Sequence, residues 1–100
     1  MNLKPGMVVW IPCEVKPGPF SNERSVLVKA LGNPWVGFVD IRFLQDPTIP
    51  AGETKIRGQI AAINGDNILV SLPGHPVDSS RIRSIEKKEA DRVPLVPVPA

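Results

Sequence analysis

Few side chains of this 100-residue chain are able to act as a nucleophile or a general base. His75 is the single histidine and lies in the turn-forming run Pro-Gly-His-Pro, with Asp78, Ser79 and Ser80 shortly after it. A catalytic site needs convergent groups in which one side chain orients another. These residues are crowded into one turn and offer no evident orienting partner. We therefore predict a non-catalytic protein, and rank an enzyme with its site around His75 last of three functions.

Metal and cofactor sites are not indicated either. Zinc takes about four Cys, His or carboxylate ligands at compact spacing, and the chain has one cysteine and one histidine. Its glycines have turn explanations and do not open a helix as a phosphate-binding loop would. Cys13 alternates with apolar residues, so we expect a buried small hydrophobe and not a reactive thiol.

Aromatic residues are the main candidates for a functional surface. Several of them lie in loops or on the strand face opposite the expected core, and interface anchors are enriched in aromatic residues and arginine. We predict that such a surface binds a partner protein or a second copy of the chain. The candidate binding residues are Trp10, Phe20, Arg24, Trp35, Arg42 and Phe43. The alternative is that Trp10 and Trp35 cover a second small core.

Single-stranded nucleic acid is the second candidate ligand, with bases stacked on Trp35 or Phe43. The phosphates would contact Arg42, Arg57, Arg81 and Arg83. The overall charge does not favour this function, because 12 basic residues face 10 acidic ones and both signs are spread over the chain. Phosphate-backbone binding usually needs a surface of one sign.

The first half of the chain has the pattern of β-strands. Residues 7–15 form a first strand whose odd positions face the core, so that Trp10 points away from it. Pro12 indicates an edge or a bulge in this strand. A surface loop over 16–23, strands over 24–31 and 35–40 and a turn at 32–34 complete a predicted hairpin.

The second half continues this pattern. Strands over 54–63 and 67–72 flank Asn64-Gly65-Asp66, a strong hairpin signal. Residues 81–85 fit a further strand or, with Ser80 as N-cap, the start of a helix. Residues 86–92 allow at most two helical turns, and residues 93–100 favour an extended, polyproline-like tail.

Residues 37–44, Gly-Phe-Val-Asp-Ile-Arg-Phe-Leu, resemble the closing signature of Src-homology-3-like barrels, Gly-aromatic-Val-Pro-x-x-Tyr-Val. The resemblance covers residues 7–63 and implies that a strand runs into one turn of tight helix, with Val39 and Leu44 facing the core. Phe43 replaces the tyrosine and Asp40 the proline of peptide-binding members. The resemblance therefore implies the fold, and not proline-rich peptide recognition.

The fold class that follows is all-β, a small Src-homology-3-like barrel of five to six strands with a short C-terminal helix or turn. We expect one domain over residues 1–92 and a proline-rich tail over 93–100. No apolar run approaches the length of a membrane helix, and no signal peptide or disulfide is indicated. We therefore expect a cytoplasmic protein without membrane contact, as a homo-oligomer in one version, with the tail on a neighbouring protomer.

Overall fold

The computed structural model describes residues 3–29, 34–76, 82–86 and 95–98, and these residues are all-β. No α-helix occurs in these ranges, which contain a single turn of 3₁₀-helix at Ile41–Phe43. The strands are β1 (Val8–Pro17), β2 (Glu23–Val28), β3 (Trp35–Asp40), β4 (Gly52–Asn64), β5 (Asn67–Ser71), β6 (His75–Pro76), β7 (Ile82–Glu86) and β8 (Val96–Pro97).

The strands form one antiparallel sheet that curls into a half-barrel, so the predicted all-β small-barrel class is confirmed. The strand order is β6-β3-β2-β1-β4-β5-β7, and β8 pairs with β1. Six strands have five residues or more, as predicted, and the two-residue strands β6 and β8 are additional. Strand β1 therefore lies in the middle of the sheet and pairs with three others.

Side chains alternate along β1 between the core and the outer face. Val9, Ile11, Cys13 and Val15 are buried, and the residues between them are partly exposed. This confirms the predicted parity, including the outward position of Trp10. The strand continues to Pro17, because β2 supplies partners up to the pair Pro17–Arg24, and the following loop is correspondingly shorter than predicted.

The hairpin of β2 and β3 and the 3₁₀ turn after it are confirmed. Strand β3 has the predicted bounds, whereas β2 ends at Val28, and residues 30–33 lie outside the described ones. A carboxylate oxygen of Asp40 accepts a hydrogen bond from the Arg42 backbone N–H at 2.9 Å, which caps the 3₁₀ turn. Val39 and Leu44 are buried as predicted, and Leu44 bridges to Ile56 in β4.

The hairpin of β4 and β5 is also confirmed, and its loop is one residue shorter than the predicted loop over residues 64–66. Asn64 pairs with Asn67, so Gly65 and Asp66 form the two-residue loop. Gly65 has a φ of 59°, and no residue other than glycine has a positive φ in the described ranges. A positive φ at the first loop position alone is the pattern of a type II′ turn, which favours glycine there.

The C-terminal part of the chain adds two elements to the sheet. Residues 82–86 form strand β7, which pairs with β5, and this decides between the strand and helix alternatives. The predicted helical turns fall largely on residues 87–92, outside the described ones. Further along, Leu95 is buried in the core and Val96–Pro97 pairs with β1 as strand β8. The described part of the tail thus packs against its own barrel.

The described residues contain no helix of the length and apolarity that would cross a membrane.

The first prediction concerns Gly74, which has a φ of 91° and whose added Cβ would contact the Phe38 carbonyl oxygen. Gly6 has nearly the same φ, 92°, but open space around it, which makes it a matched control. Alanine at either position costs about 1–2 kcal/mol for the left-handed backbone. We expect Gly74→Ala to lower the free energy of unfolding by about 1–3 kcal/mol more than Gly6→Ala, because of overpacking. Urea denaturation measures both, and equal losses would contradict the steric account.

Candidate functional site

Trp35 does not belong to any surface, and its predicted role as an exposed anchor is wrong. Its side chain is 0% exposed and lies in the main core. It occupies the same strand face as Gly37 and Val39, which are also buried. Because side chains alternate along a strand, the inward position of Val39 requires Trp35 to face inward as well. A second core under Trp10 and Trp35 is not formed either, since Trp10 lies on the opposite face.

Phe20 is exposed as expected, but it does not lie beside Trp10. Its side chain is 67% exposed and sits in the loop that joins β1 to β2. Pro17, the last residue before this loop, lies seven positions along the extended strand from Trp10. At about 3.3 Å per residue this is a distance of about 23 Å. Phe20 therefore cannot share one compact contact surface with Trp10.

Trp10 forms one half of a cation–aromatic pair on the outer face of the sheet. It lies directly opposite Arg57 of β4 in the strand register. The guanidinium carbon of Arg57 is 5.4 Å from the centroid of the Trp10 ring, within the range of a cation–π contact. On the other side of β1, Trp10 pairs with Val96 of β8. Trp10 thus lies between Arg57 on one neighbouring strand and Val96 on the other.

Phe43 and Arg42 form a second pair of the same kind. The Arg42 guanidinium carbon is 4.8 Å from the centroid of the Phe43 ring. Phe43 is half-buried and packs against the core, whereas Arg42 is exposed. Phe43 and Arg57 line one open groove of about 310 Å³, together with Val8, Gln59 and Ser71 among others. We call Trp10, Arg42, Phe43 and Arg57 the cation–aromatic platform.

Arg24 has a structural role and is not a free rim residue, so this part of the predicted site is wrong. Its Nε donates to the Ile49 carbonyl at 2.9 Å, and its Nη1 donates to the carbonyls of Ser21 at 3.1 Å and Glu23 at 2.9 Å. It faces inward because it lies on the same face of β2 as Val26 and Val28. The guanidinium therefore ties together two loops at one end of the half-barrel.

An apolar stripe that was not predicted lies on the outer face of β2 and β3. Val36 and Phe38 are each 38% exposed, and Val36 lies opposite Leu27 in the register. The signal was present, because an inward Val39 places Phe38 on the outer face. The stripe consists of Leu27, Val36 and Phe38.

A larger groove of about 700 Å³ crosses the outer face of β2, β1 and β4, among the residues that the structure describes. Its walls include an exposed ion pair, Lys29 Nζ to Glu14 Oε1 at 3.1 Å. Cys13 also lines it, but is only 6% exposed, and burial raises the pKa of its thiol to about 12. Such a thiol is protonated at neutral pH, so this groove contains no cysteine nucleophile.

Other candidates for chemistry are dispersed or lie outside the described part of the chain. His75 lies in β6, where its backbone pairs with Phe38, and Asp78, Ser79 and Ser80 fall outside the described residues. Arg83 lies in β7 opposite Val70, and Arg81 is not among the described residues. Within the described ranges, no three His, Cys, Asp or Glu side chains come together as a metal site would require.

The chain matches no protein-family model, no curated protein and no solved structure.

The second prediction concerns Arg24. Replacing it with alanine leaves the carbonyls of Ile49, Ser21 and Glu23 without this donor, so we expect the free energy of unfolding to fall by about 1–3 kcal/mol. Arg24→Lys should recover only part of the loss, because one ammonium group does not reproduce the planar fork. Lys16→Ala, an exposed change in β1, should stay within about 0.5 kcal/mol and serves as the control. If urea denaturation showed that lysine restores the full free energy of unfolding, the role of the planar guanidinium group would be contradicted.

The third prediction concerns Cys13. Its pKa in the folded chain is raised from 9.0 to about 12. Its contribution to stability is therefore complete below about pH 9 and is lost as the pH rises from about 9 towards 12, where the unfolded chain ionises first. We expect the free energy of unfolding to fall more steeply over this interval in the wild type than in Cys13→Ala. Parallel pH profiles for the two proteins would show that the thiol is not protected by burial.

Proposed function

We propose that this chain is a small Src-homology-3-like barrel that acts as a non-catalytic binding module, and that it contacts a partner protein through the cation–aromatic platform. The observation that supports this most directly is the two arginine–aromatic contacts, each of which contributes one residue, Phe43 or Arg57, to the lining of the same groove. Tryptophan and arginine are among the residues that most often dominate the energy of protein interfaces.

The strands and the 3₁₀ turn that carry the platform hold its side chains in fixed positions. Trp10 and Arg57 lie on neighbouring strands in fixed register, and Phe43 packs against the core through the 3₁₀ turn. Side chains on regular elements are held more precisely than side chains on loops. A partner therefore meets a largely preformed surface, which reduces the entropy lost on binding.

The charge of the platform suggests the chemistry of the partner. In the described part of the chain the only ion pair joins Lys29 to Glu14, so Arg42 and Arg57 have no carboxylate within 4.0 Å there. Both guanidinium groups instead lie over aromatic rings. A segment that presents an apolar side chain next to an Asp or Glu would satisfy both ring and cation. We propose such an acidic, apolar protein segment as the ligand.

The departure from peptide-binding barrels has a structural counterpart. Asp40, in the place of the signature proline, caps the 3₁₀ turn through its carboxylate. Phe43, in the place of the tyrosine, has no hydroxyl to offer a ligand and carries Arg42 over its ring. The proposed module therefore keeps the barrel frame and uses a different ligand chemistry. The same proposal locates it in the cytoplasm, as the lone and buried Cys13 suggests.

Single-stranded nucleic acid is the second candidate, favoured by the two guanidinium groups beside aromatic rings. Bases stack on such platforms, and cations hold the phosphates. Lys55 adds a further cation two positions from Arg57 on the same face of β4. Glu53 and Glu14 lie opposite each other next to it, however, so the face has both signs of charge. Phosphate binding favours one sign, and we therefore place protein first.

The fourth prediction tests the platform. Immobilised wild-type chain, Trp10→Ala and Phe20→Ala are each incubated with the same cell extract, and bound proteins are quantified by mass spectrometry. We expect a partner that binds the wild type and Phe20→Ala equally and binds Trp10→Ala at least about tenfold more weakly, as for loss of an interface anchor. Phe20 is the control for Trp10 because it is an exposed aromatic residue outside the four platform residues, in the loop beyond the far end of β1 from Trp10.

Two further measurements make this result decisive. Arg57→Lys keeps the charge but removes the planar group over Trp10, and it should weaken the same partner, while circular dichroism confirms that each variant is folded. A single-stranded oligonucleotide is titrated at two salt concentrations in parallel. Binding of the oligonucleotide that falls steeply with salt and depends on Trp10 would favour the second candidate. Partners that bind all the variants equally would exclude the platform.

A further inference from the structure

The C-terminal segment Leu95–Val98, which we call the strap, is bound to β1 as an added strand. Its residues pair as Trp10–Val96 and Val9–Pro97, and the Val98 backbone N–H donates to the Val8 carbonyl at 2.9 Å. The Leu95 side chain is 1% exposed and belongs to the core cluster. The strap thus combines a short backbone ladder with one deeply buried side chain.

Proline is compatible with this ladder because of its position. The hydrogen bond between Val98 and Val8 makes these two residues a hydrogen-bonded pair, so the next pair, Val9–Pro97, is a non-hydrogen-bonded one. The nitrogen of Pro97 therefore points away from β1, and no ladder bond is lost. Proline in such a position is typical of an edge strand.

The strap binds to β1, which is distant from it in sequence. Among the described residues, its strand pairing is with β1 alone. Eight residues separate Glu86, at the end of β7, from Leu95. The opposite side of β1 pairs with β4 over eight residues, against two for the strap. The strap is therefore the least extensively paired partner of β1.

We propose that the strap exchanges between two copies of this chain, so that Leu95–Val98 of each copy binds β1 of the other. Its contacts with β1 are the same in either arrangement, because the segment and its site are unchanged. Exchange of an identical element is a low-cost route to a symmetric dimer. Since Val96 lies beside Trp10, the second copy would also supply one wall of the cation–aromatic platform.

This inference rests on the strap and β1, and it does not depend on the ligand of the platform. Weakening the strap would affect the closed chain and the exchanged dimer alike, so loss of stability alone cannot test it. The test must instead detect the strap of one copy on the β1 of another.

Two single-cysteine chains provide this test. Both carry Cys13→Ala, one has Val9→Cys and the other Pro97→Cys. These positions face each other in a non-hydrogen-bonded pair, where side chains approach closely enough for a disulfide. We expect the mixed chains to form, under mild oxidation, a disulfide-linked species of twice the 10.9 kDa chain mass, with the 9–97 link identified by mass spectrometry. Neither variant alone is able to form that link.

A chain with both cysteines checks the geometry, because it should close the same disulfide within one copy. If the disulfide closes within one copy while the mixture gives no 9–97 link at any protein concentration, strap exchange is excluded.

A second measurement applies if the double variant does not form its disulfide. A labelled peptide of residues 93–100 should bind the full-length Leu95→Asp chain at least tenfold more tightly than the wild type, whose own strap competes. Failure of the folded Leu95→Asp chain to bind it would overturn the proposal.

Discussion

The alternation of side chains along β1 is the constraint on which the rest of this structure depends. The strand lies in the middle of the sheet, and its odd-numbered residues from Val9 to Val15 are buried in the core. Because the period is two, a shift of register by one residue would move all of them to the outer face. Pairing with β4 over eight residues prevents such a shift, and it sets Trp10 directly opposite Arg57. The same register thus determines which residues form the core and which form the proposed binding surface.

The same parity explains why two tryptophans of one small protein have opposite roles. Trp35 lies inward on β3 and is completely buried, whereas Trp10 lies outward on β1 and is held by an arginine. Burial of a large aromatic side chain contributes to stability through the area that it removes from water. A partly exposed aromatic ring instead keeps area available for a partner, and the adjacent guanidinium adds a directed charge. The function that we propose therefore depends on which face each ring occupies, and not on the aromatic content.

Much of the frame could be predicted from local signals, and the rest required contacts that are distant in sequence. Strand β3 and the second hairpin each follow from a local pattern of apolar residues and turn formers, and the 3₁₀ turn was implied by the resemblance of residues 37–44 to the barrel signature. The interaction of Arg24 with Ile49 could not be predicted, because the accepting carbonyl lies twenty-five residues away in sequence. The error at Trp35 has a different origin. The parity of Val39 already determined its face, but the prediction gave more weight to aromatic type than to position.

The strap shows how one edge can connect fold and assembly. A sheet edge with unpaired backbone groups attracts other strands, and proteins protect such edges with short strands, proline or a covering segment. On this side of β1 the chain uses a short strand that contains a proline and is anchored by Leu95. Since Pro97 turns its nitrogen outward, the strap cannot donate a further ladder bond at that position, which limits the addition of another strand. Protection that comes from a separate terminal segment, however, can be supplied equally well by a second copy. The feature that keeps this edge from uncontrolled pairing is thus also the one that would permit a closed, symmetric dimer.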